Sequence, residues 1–272
     1  MFFLKDKILG FIGAGNMAGA IINGIVGTKT FPAQQVFVYD INREKREALR
    51  QKAGIRTVDS IEQLIEKCDI VFLAVKPQNF AEVLASVKPV VNEKILFVSI
   101  AAGISTHYIN SALGCRCPVI RTMPNTPLLI GKGATALSRT ENVTDEDFQL
   151  VLSLFAACGT VTVLDESQMN AVISVNSSSP AYIYLFAKAM LDSAVKQGIA
   201  ADTALQLICQ TLEGSAGMLR QPELTPEALI KMVSSPGGTT LKALDVFYEH
   251  HFEQIVDEAM RACTKRAEEL GK

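Results

Sequence analysis

The chain is poor in histidine, in clustered metal ligands and in unbroken apolar length. Only His107, His250 and His251 occur. None stands at a suggestive spacing from a carboxylate or nucleophile, so a Ser-His-Asp hydrolase has little to build on. Six cysteines (68, 115, 117, 158, 209 and 263) lie scattered, mostly inside apolar segments, and read as small buried hydrophobes. Cys115-Arg116-Cys117 is the one close pair; without further Cys or His nearby it makes no zinc site, and no metal is expected. Charge of one sign is missing too. The 26 basic and 28 acidic residues are interspersed, the net charge is -2, and the absence of a basic block points away from nucleic acid and anionic membranes. No uncharged apolar stretch approaches the roughly 20 residues of a membrane span. The nearest, Met169 to Ala187, is interrupted by Asn176, Ser177, Ser178, Ser179 and Pro180. Met1-Phe2-Phe3-Leu4-Lys5 is too short for a signal segment. A cytoplasmic protein is expected.

What the chain does have is a first unit with a pattern. In 272 residues, 49% of them apolar, there is room for one large domain or two ordinary ones. Ile8 to Ile12 reads as a buried strand that stops at Gly13-Ala14-Gly15. Asn16 then opens a run, Met17 to Val26, with helical spacing. This is the G-x-G-x-x-[GA] pattern with Ala18 in third place: Gly13 for the tight turn, Gly15 for close approach of a pyrophosphate, Ala18 for helix–strand packing. A buried strand–turn–helix without ligand fits the same residues, but the flanking elements favour a dinucleotide on the helix N-terminus.

Gln35 to Asp40 reads as a second strand ending in an acid 25 positions after Gly15, near where an acid meets the adenosine ribose. Asn42 and Arg43 follow. An acid favours NAD, an adjacent arginine the 2′-phosphate of NADP, so the two signals oppose each other; Arg43 also fits the solvated first turn of a helix running to Lys52. Ser60 and Gln63 form a capping box. Asp69 to Val75 is a third strand, and the Lys76-Pro77-Gln78 turn after it reads equally as a cofactor contact or an exposed loop. Ile95 to Ile100, Pro118 onward, Gly133 to Ser138 and Thr160 to Leu164 are further strands, with a helix from Asp145 to Ala157. That alternation predicts a doubly wound, largely parallel sheet. It stops near residue 164.

Beyond it, residues 166–197, 201–219, 226–233 and 239–270 read as helices. The expected architecture is α/β, with a Rossmann-type dinucleotide-binding domain over 1–164 and an all-helical domain over 165–272. Helices so apolar exceed what a lone tail buries, so a homodimer through them is expected. Ser234-Ser235-Pro236-Gly237-Gly238-Thr239-Thr240 sets backbone N–H groups and hydroxyls at a helix N-terminus, which reads either as a carboxylate cradle or as an ordinary capped loop.

Gly10 to Ala18, Val75-Lys76-Pro77-Gln78, Arg121-Thr122-Met123-Pro124-Asn125-Thr126-Pro127, Ser179-Pro180-Ala181-Tyr182 and Ser235 to Thr240 together resemble, in order and spacing and over essentially the whole chain, the pyrroline-5-carboxylate reductase family. The resemblance implies hydride transfer from NADP(H), or NAD(H), to the cyclic imine pyrroline-5-carboxylate, giving L-proline, and a helical domain that pairs with a second subunit. By position it implies that Gly13, Ala14, Gly15, Asn16 and Met17 hold the pyrophosphate. Asn42 and Arg43 would lie by the ribose, and Val75, Lys76, Pro77 and Ala102 along the cofactor. Ser235, Gly237, Gly238, Thr239 and Thr240 would bind the substrate carboxylate, with the Thr240 hydroxyl catalytic near the imine nitrogen and Glu166 and Glu223 beside the pocket. Asn176-Ser177-Ser178 departs from a Gly-containing family pattern. Two rivals share the first half: a β-hydroxyacid-type dehydrogenase, which wants an earlier helical lysine than Lys188, and a non-catalytic dinucleotide-binding regulator.

Overall fold

A computed structural model describes residues 7–271; the opening Met1 to Lys5 stretch lies outside them. Eight strands form one sheet: β1 (Leu9–Ile12), β2 (Val36–Tyr39), β3 (Arg56–Thr57), β4 (Ile70–Leu73), β5 (Leu96–Ser99), β6 (Val119–Met123), β7 (Gly133–Arg139) and β8 (Gly159–Val163). Their spatial order is β3-β2-β1-β4-β5-β6-β7-β8. All neighbours pair in parallel except β6 and β7, which are antiparallel. Order reverses at β1, between β2 and β4, the switch point where open α/β sheets bind ligands. The two-residue edge strand β3 carries no periodic signal and was not legible in the sequence.

The first six strands alternate with helices α1 (Asn16–Gly27), α2 (Arg43–Ala53), α3 (Ile61–Lys67), α4 (Phe80–Val87) and α5 (Thr106–Leu113); α6 (Asp145–Ala156) joins β7 to β8. β1, β4, β5 and β6 are buried throughout, as expected of parallel strands covered on both faces. On one face Ile21, Ile22 and Ile25 of α1 pack with Phe11, Phe72 and Phe155, the Phe11 and Phe72 rings stacking at 4.3 Å across β1 and β4. The other face carries Leu64, Phe80, Leu84 and Ile109 from α3, α4 and α5. Local chemistry sets the ends: Asn42, Ser60, Ser105 and Thr144 each accept a first-turn N–H, and Gly54 and Gly114 close α2 and α5 in the left-handed conformation.

Strand formation ends at Val163. After it come α7 (Ser179–Lys196), α8 (Ala201–Leu219), α9 (Pro226–Met232), α10 (Thr239–Glu249) and α11 (Phe252–Leu270), and no strand occurs among the described residues. Two expected helices are interrupted. The run 166–197 begins as a 3₁₀ turn (Glu166–Gln168) and a π-helical segment (Ile173–Ser177) before α7, because Pro180 has no N–H to continue the ladder. The run 239–270 breaks at His251, whose φ of 53° stops the i→i−4 ladder and lets Phe252 pack on Phe247, ring centroids 5.3 Å apart.

By compactness the chain forms two units: residues up to Pro180 with Arg261 onward, and Ala181–Met260. The last part of α11 belongs with the sheet because Ala267 is buried with Met123, Met169 and Ile173. A Cβ on Gly103 would run into the Ala267 carbonyl oxygen. Among the described residues no helix is long and apolar enough to cross a membrane.

Candidate active site

The carboxyl ends of β1, β2, β4 and β5 share one edge of the sheet. There β1 runs into Gly13, whose φ of +111° and whose position, with a Cβ only 2.5 Å from the Ala74 carbonyl oxygen, admit glycine alone. Its N–H donates to the Tyr39 carbonyl at 2.7 Å. Gly15 is the N-cap of α1 and offers no side-chain acceptor to the first-turn N–H groups. A Cβ on Gly15 would meet nothing within 4 Å, so its outer side is open. Ala18 is buried against the sheet while Asn16 is exposed and Met17 half-buried. An open helix N-terminus with unclaimed donors fits a pyrophosphate.

Asp40 is the acid that spacing placed beside the ribose. Its Oδ2 accepts the Ala14 N–H at 2.7 Å and its Oδ1 the Asn42 N–H at 2.8 Å, so it ties the glycine turn to the turn after β2. The Asn42 side-chain oxygen accepts the Lys45 N–H at 3.1 Å as the cap of α2. Arg43 is exposed in the first turn. Val75 and exposed Lys76 follow β4, with Lys76 preceding a 3₁₀ turn that starts at Pro77. Half-buried Ala102 follows β5. The first unit thus gathers all the residues expected along the cofactor at one edge.

The second unit holds the other turn. Gly237 takes φ +72°, the Gly238 N–H donates to the Ser235 carbonyl at 2.9 Å, and Gly238 is the N-cap of α10, again without a side-chain acceptor. A Cβ on Gly238 would lie 2.7 Å from Ser235 Oγ. Thr239 opens the helix and half-buried Thr240 follows. Helices α1 and α10 both begin at glycine N-caps; α9, by contrast, is capped by the Thr225 hydroxyl. Glu223 is exposed between α8 and α9. Lys188 pairs with Asp192 at 2.6 Å on the surface of α7.

Glu166 sits in the first unit. Its Oε1 accepts the Thr106 N–H at 2.7 Å and its Oε2 the Thr106 hydroxyl, so it caps the start of α5. Arg121, 2% exposed on β6, stands behind it: Nη1 is 3.7 Å from Glu166 Oε1 and Nη2 donates to Asn170 Oδ1 at 2.6 Å. Burial lowers the Arg121 pKa while Glu166 raises it; the net is downward, yet a guanidinium starts high enough to stay charged. Arg121 and Asn170 were not foreseen as a pair, since nothing in their spacing joins residues on β6 and after β8.

A second polar pair was also missed. Pro180 frees the Asn176 carbonyl, four residues back, of its helical donor; Asn125 Nδ2 supplies one at 3.0 Å. Asn125 Oδ1 accepts the Ala134 N–H at 2.8 Å, and Asn176 Nδ2 reaches the Met123 and Ala134 carbonyls at 2.7 and 2.9 Å. The two amides thus lock the π-helical segment to β6 and β7. Asparagine at 176 has a structural use here.

Comparison with known proteins places these features in context. Residues 166–270 match the family described as pyrroline-5-carboxylate reductase dimerisation, and residues 8–103 that described as NADP oxidoreductase, coenzyme F420-dependent. The pyrroline-5-carboxylate reductase of Escherichia coli (strain K12) is 39% identical over 267 residues, covering 98% of this chain and 99% of its own. The crystal structure of Plasmodium falciparum pyrroline carboxylate reductase with NADP bound superposes with a TM-score of 0.91 at 28% identity, over 99% of this chain and 100% of that one. A pyrroline-5-carboxylate reductase from Coxiella burnetii gives 0.88 at 33% identity, over 98% and 99%.

Replacing Asn176 by Ala leaves the Met123 and Ala134 carbonyls without this donor. The expected cost is about 1–3 kcal/mol, read as a lower urea midpoint with an unchanged slope; an unchanged midpoint would deny the lock.

Proposed function

The chain belongs to the pyrroline-5-carboxylate reductase family, and from that premise we propose how its own residues serve the reaction. It is an NAD(P)H-dependent oxidoreductase that reduces the cyclic imine 1-pyrroline-5-carboxylate to L-proline, the last step of proline biosynthesis. The observation that supports the site assignment is the pair of glycine-capped helix N-termini, α1 in one unit and α10 in the other. Each leaves first-turn N–H groups without a side-chain acceptor, and each suits one anion of the reaction.

Gly13, Ala14, Gly15, Asn16 and Met17 hold the pyrophosphate, and Val75, Lys76, Pro77 and Ala102 line the rest of the cofactor. When bound, the reduced nicotinamide supplies the hydride. Ser235, Gly237, Gly238, Thr239 and Thr240 receive the substrate carboxylate on the α10 N-terminus. A protonated imine is already electrophilic and carries its own charge, so the protein's task is orientation, anion binding and one hydroxyl at the nitrogen rather than strong acid catalysis. The Thr240 hydroxyl takes that place. Glu223 and Glu166 are the further acids assigned to the substrate; with both oxygens on Thr106, Glu166 contributes position rather than proton transfer. By role, residues 1–164 serve the dinucleotide and 165–272 the substrate and dimerisation, although the end of α11 packs with the sheet unit. The place of action is the cytoplasm.

NADP(H) is the favoured cofactor. Asp40 already accepts two backbone N–H groups, which diminishes it as a ribose ligand, whereas Arg43 is exposed beside it and suits a 2′-phosphate. The partner is a second copy of the chain. Tyr184, Leu185, Leu207, Val246 and Ile255 are all more than half exposed, an apolar surface of the kind that marks association.

Steady oxidation of NADPH on adding pyrroline-5-carboxylate is expected, and its absence would overturn the reaction. Thr240→Ala should lower kcat about 10-fold or more with little change in the KM for NADPH; full turnover would remove its role. Arg43→Gln should raise the KM for NADPH alone, whereas Asp40→Asn should raise it for NADPH and NADH alike. A selective loss of NADH in Asp40→Asn would make Asp40 a ribose reader instead. Sedimentation at micromolar concentration should show a dimer or larger; monomer alone would exclude the assembly.

A further inference from the structure

The segment between α5 and β6 holds two thiols in contact. Gly114 closes α5 at φ 74°; Cys115 follows half-buried and Cys117 is fully buried. Their Sγ atoms are 2.8 Å apart. Asn110 of α5 fixes the second thiol's backbone from both sides, accepting the Cys117 N–H at 3.1 Å and donating to its carbonyl at 3.2 Å. The Gly114 N–H meanwhile donates to the Asn110 carbonyl at 2.9 Å. One residue therefore anchors the chain on each side of Cys115. Arg116, between the thiols, turns outward to Glu141 at 3.6 Å. Among the described residues no group of three His, Cys, Asp or Glu is placed to hold a metal ion.

We propose that Cys115 and Cys117 are a reversible oxidation site that closes to an intramolecular disulfide on reaction with a hydroperoxide. Ring closure normally costs chain entropy, and here the fold has already brought the sulfurs together. Accessibility orders the steps. Cys115 is the thiol that solvent reaches, while Cys117 is buried, and that burial pushes its thiol pKa up. The Cys115 thiolate attacks one peroxide oxygen and the O–O bond breaks. The departing hydroxide leaves as water on taking a proton, and Cys115 becomes a sulfenic acid. The Cys117 sulfur then attacks the Cys115 sulfur, the S–O bond breaks, and the Cys117 proton leaves with the hydroxyl as a second water. Two thiols lose two electrons and two protons, and the peroxide gains them. A dithiol reverses the bond by exchange. The pair sits at the amino end of β6, whereas the cofactor turns follow the carboxyl ends of strands parallel to it, so the chemistry is independent of the reductase site.

The test treats the full-length protein with one molar equivalent of hydrogen peroxide, alkylates the remaining thiols with iodoacetamide, and maps peptides without reduction. The expected product is a 115–117 segment lighter by two hydrogens, unalkylated in most oxidised molecules and restored by dithiothreitol. Cys117→Ser should instead yield a Cys115 sulfenic acid that dimedone captures. The proposal is overturned if Cys115 and Cys117 both take up the alkylating agent, or if Cys115 proceeds to a sulfinic acid while Cys117 stays alkylated.

Discussion

The turn after β1 rests on a close approach that tolerates no side chain. Gly13 holds φ +111° with the Ala74 carbonyl where its Cβ would stand, and its N–H is taken by Tyr39 on the neighbouring strand. That contact joins the ends of β1, β2 and β4. Asp40 then fixes the following amide, Ala14, and its own neighbour Asn42 with the two oxygens of one carboxylate. The direction of α1, and with it the aim of its first-turn N–H groups, follows from these few bonds. A helix N-terminus offers only about half a unit charge, so its use for an anion depends on being rigidly placed.

The same logic of assigned backbone groups governs the entry to the helical region. Pro180 removes one helical hydrogen bond, and a buried carbonyl without a partner costs about 1–3 kcal/mol. The π-helical turn and the side chain of Asn125 absorb that cost. Asn176 repays the contact from the opposite side through Met123 and Ala134. The loop Pro124 to Pro127 and the start of α7 are thereby one structural device, although more than fifty residues separate the two asparagines. Arg121 and Glu166 form a parallel case, in which a buried cation holds the acid that caps α5.

Chemically the chain is equipped for placement rather than for proton transfer. Its histidines are few, Glu166 is engaged at Thr106, and the glycine-capped N-termini of α1 and α10 carry no side-chain acceptor. Reduction of a cation-bearing imine suits such equipment, because the substrate brings both its electrophile and its charge.

The sequence by itself determined the sheet-then-helix architecture, the glycine turn, the helix cap at Ser60, and the family. These are local: a strand period, a cap spacing or a glycine needing positive φ is written within a dozen residues. Tertiary structure decided what distance in the chain conceals. It set the Asp40 carboxylate on the Ala14 and Asn42 N–H groups and gave Asn176 its partners on β6 and β7. In each case the side chain's role is fixed by which backbone group stands across from it, and that is known only once the strands and helices have packed.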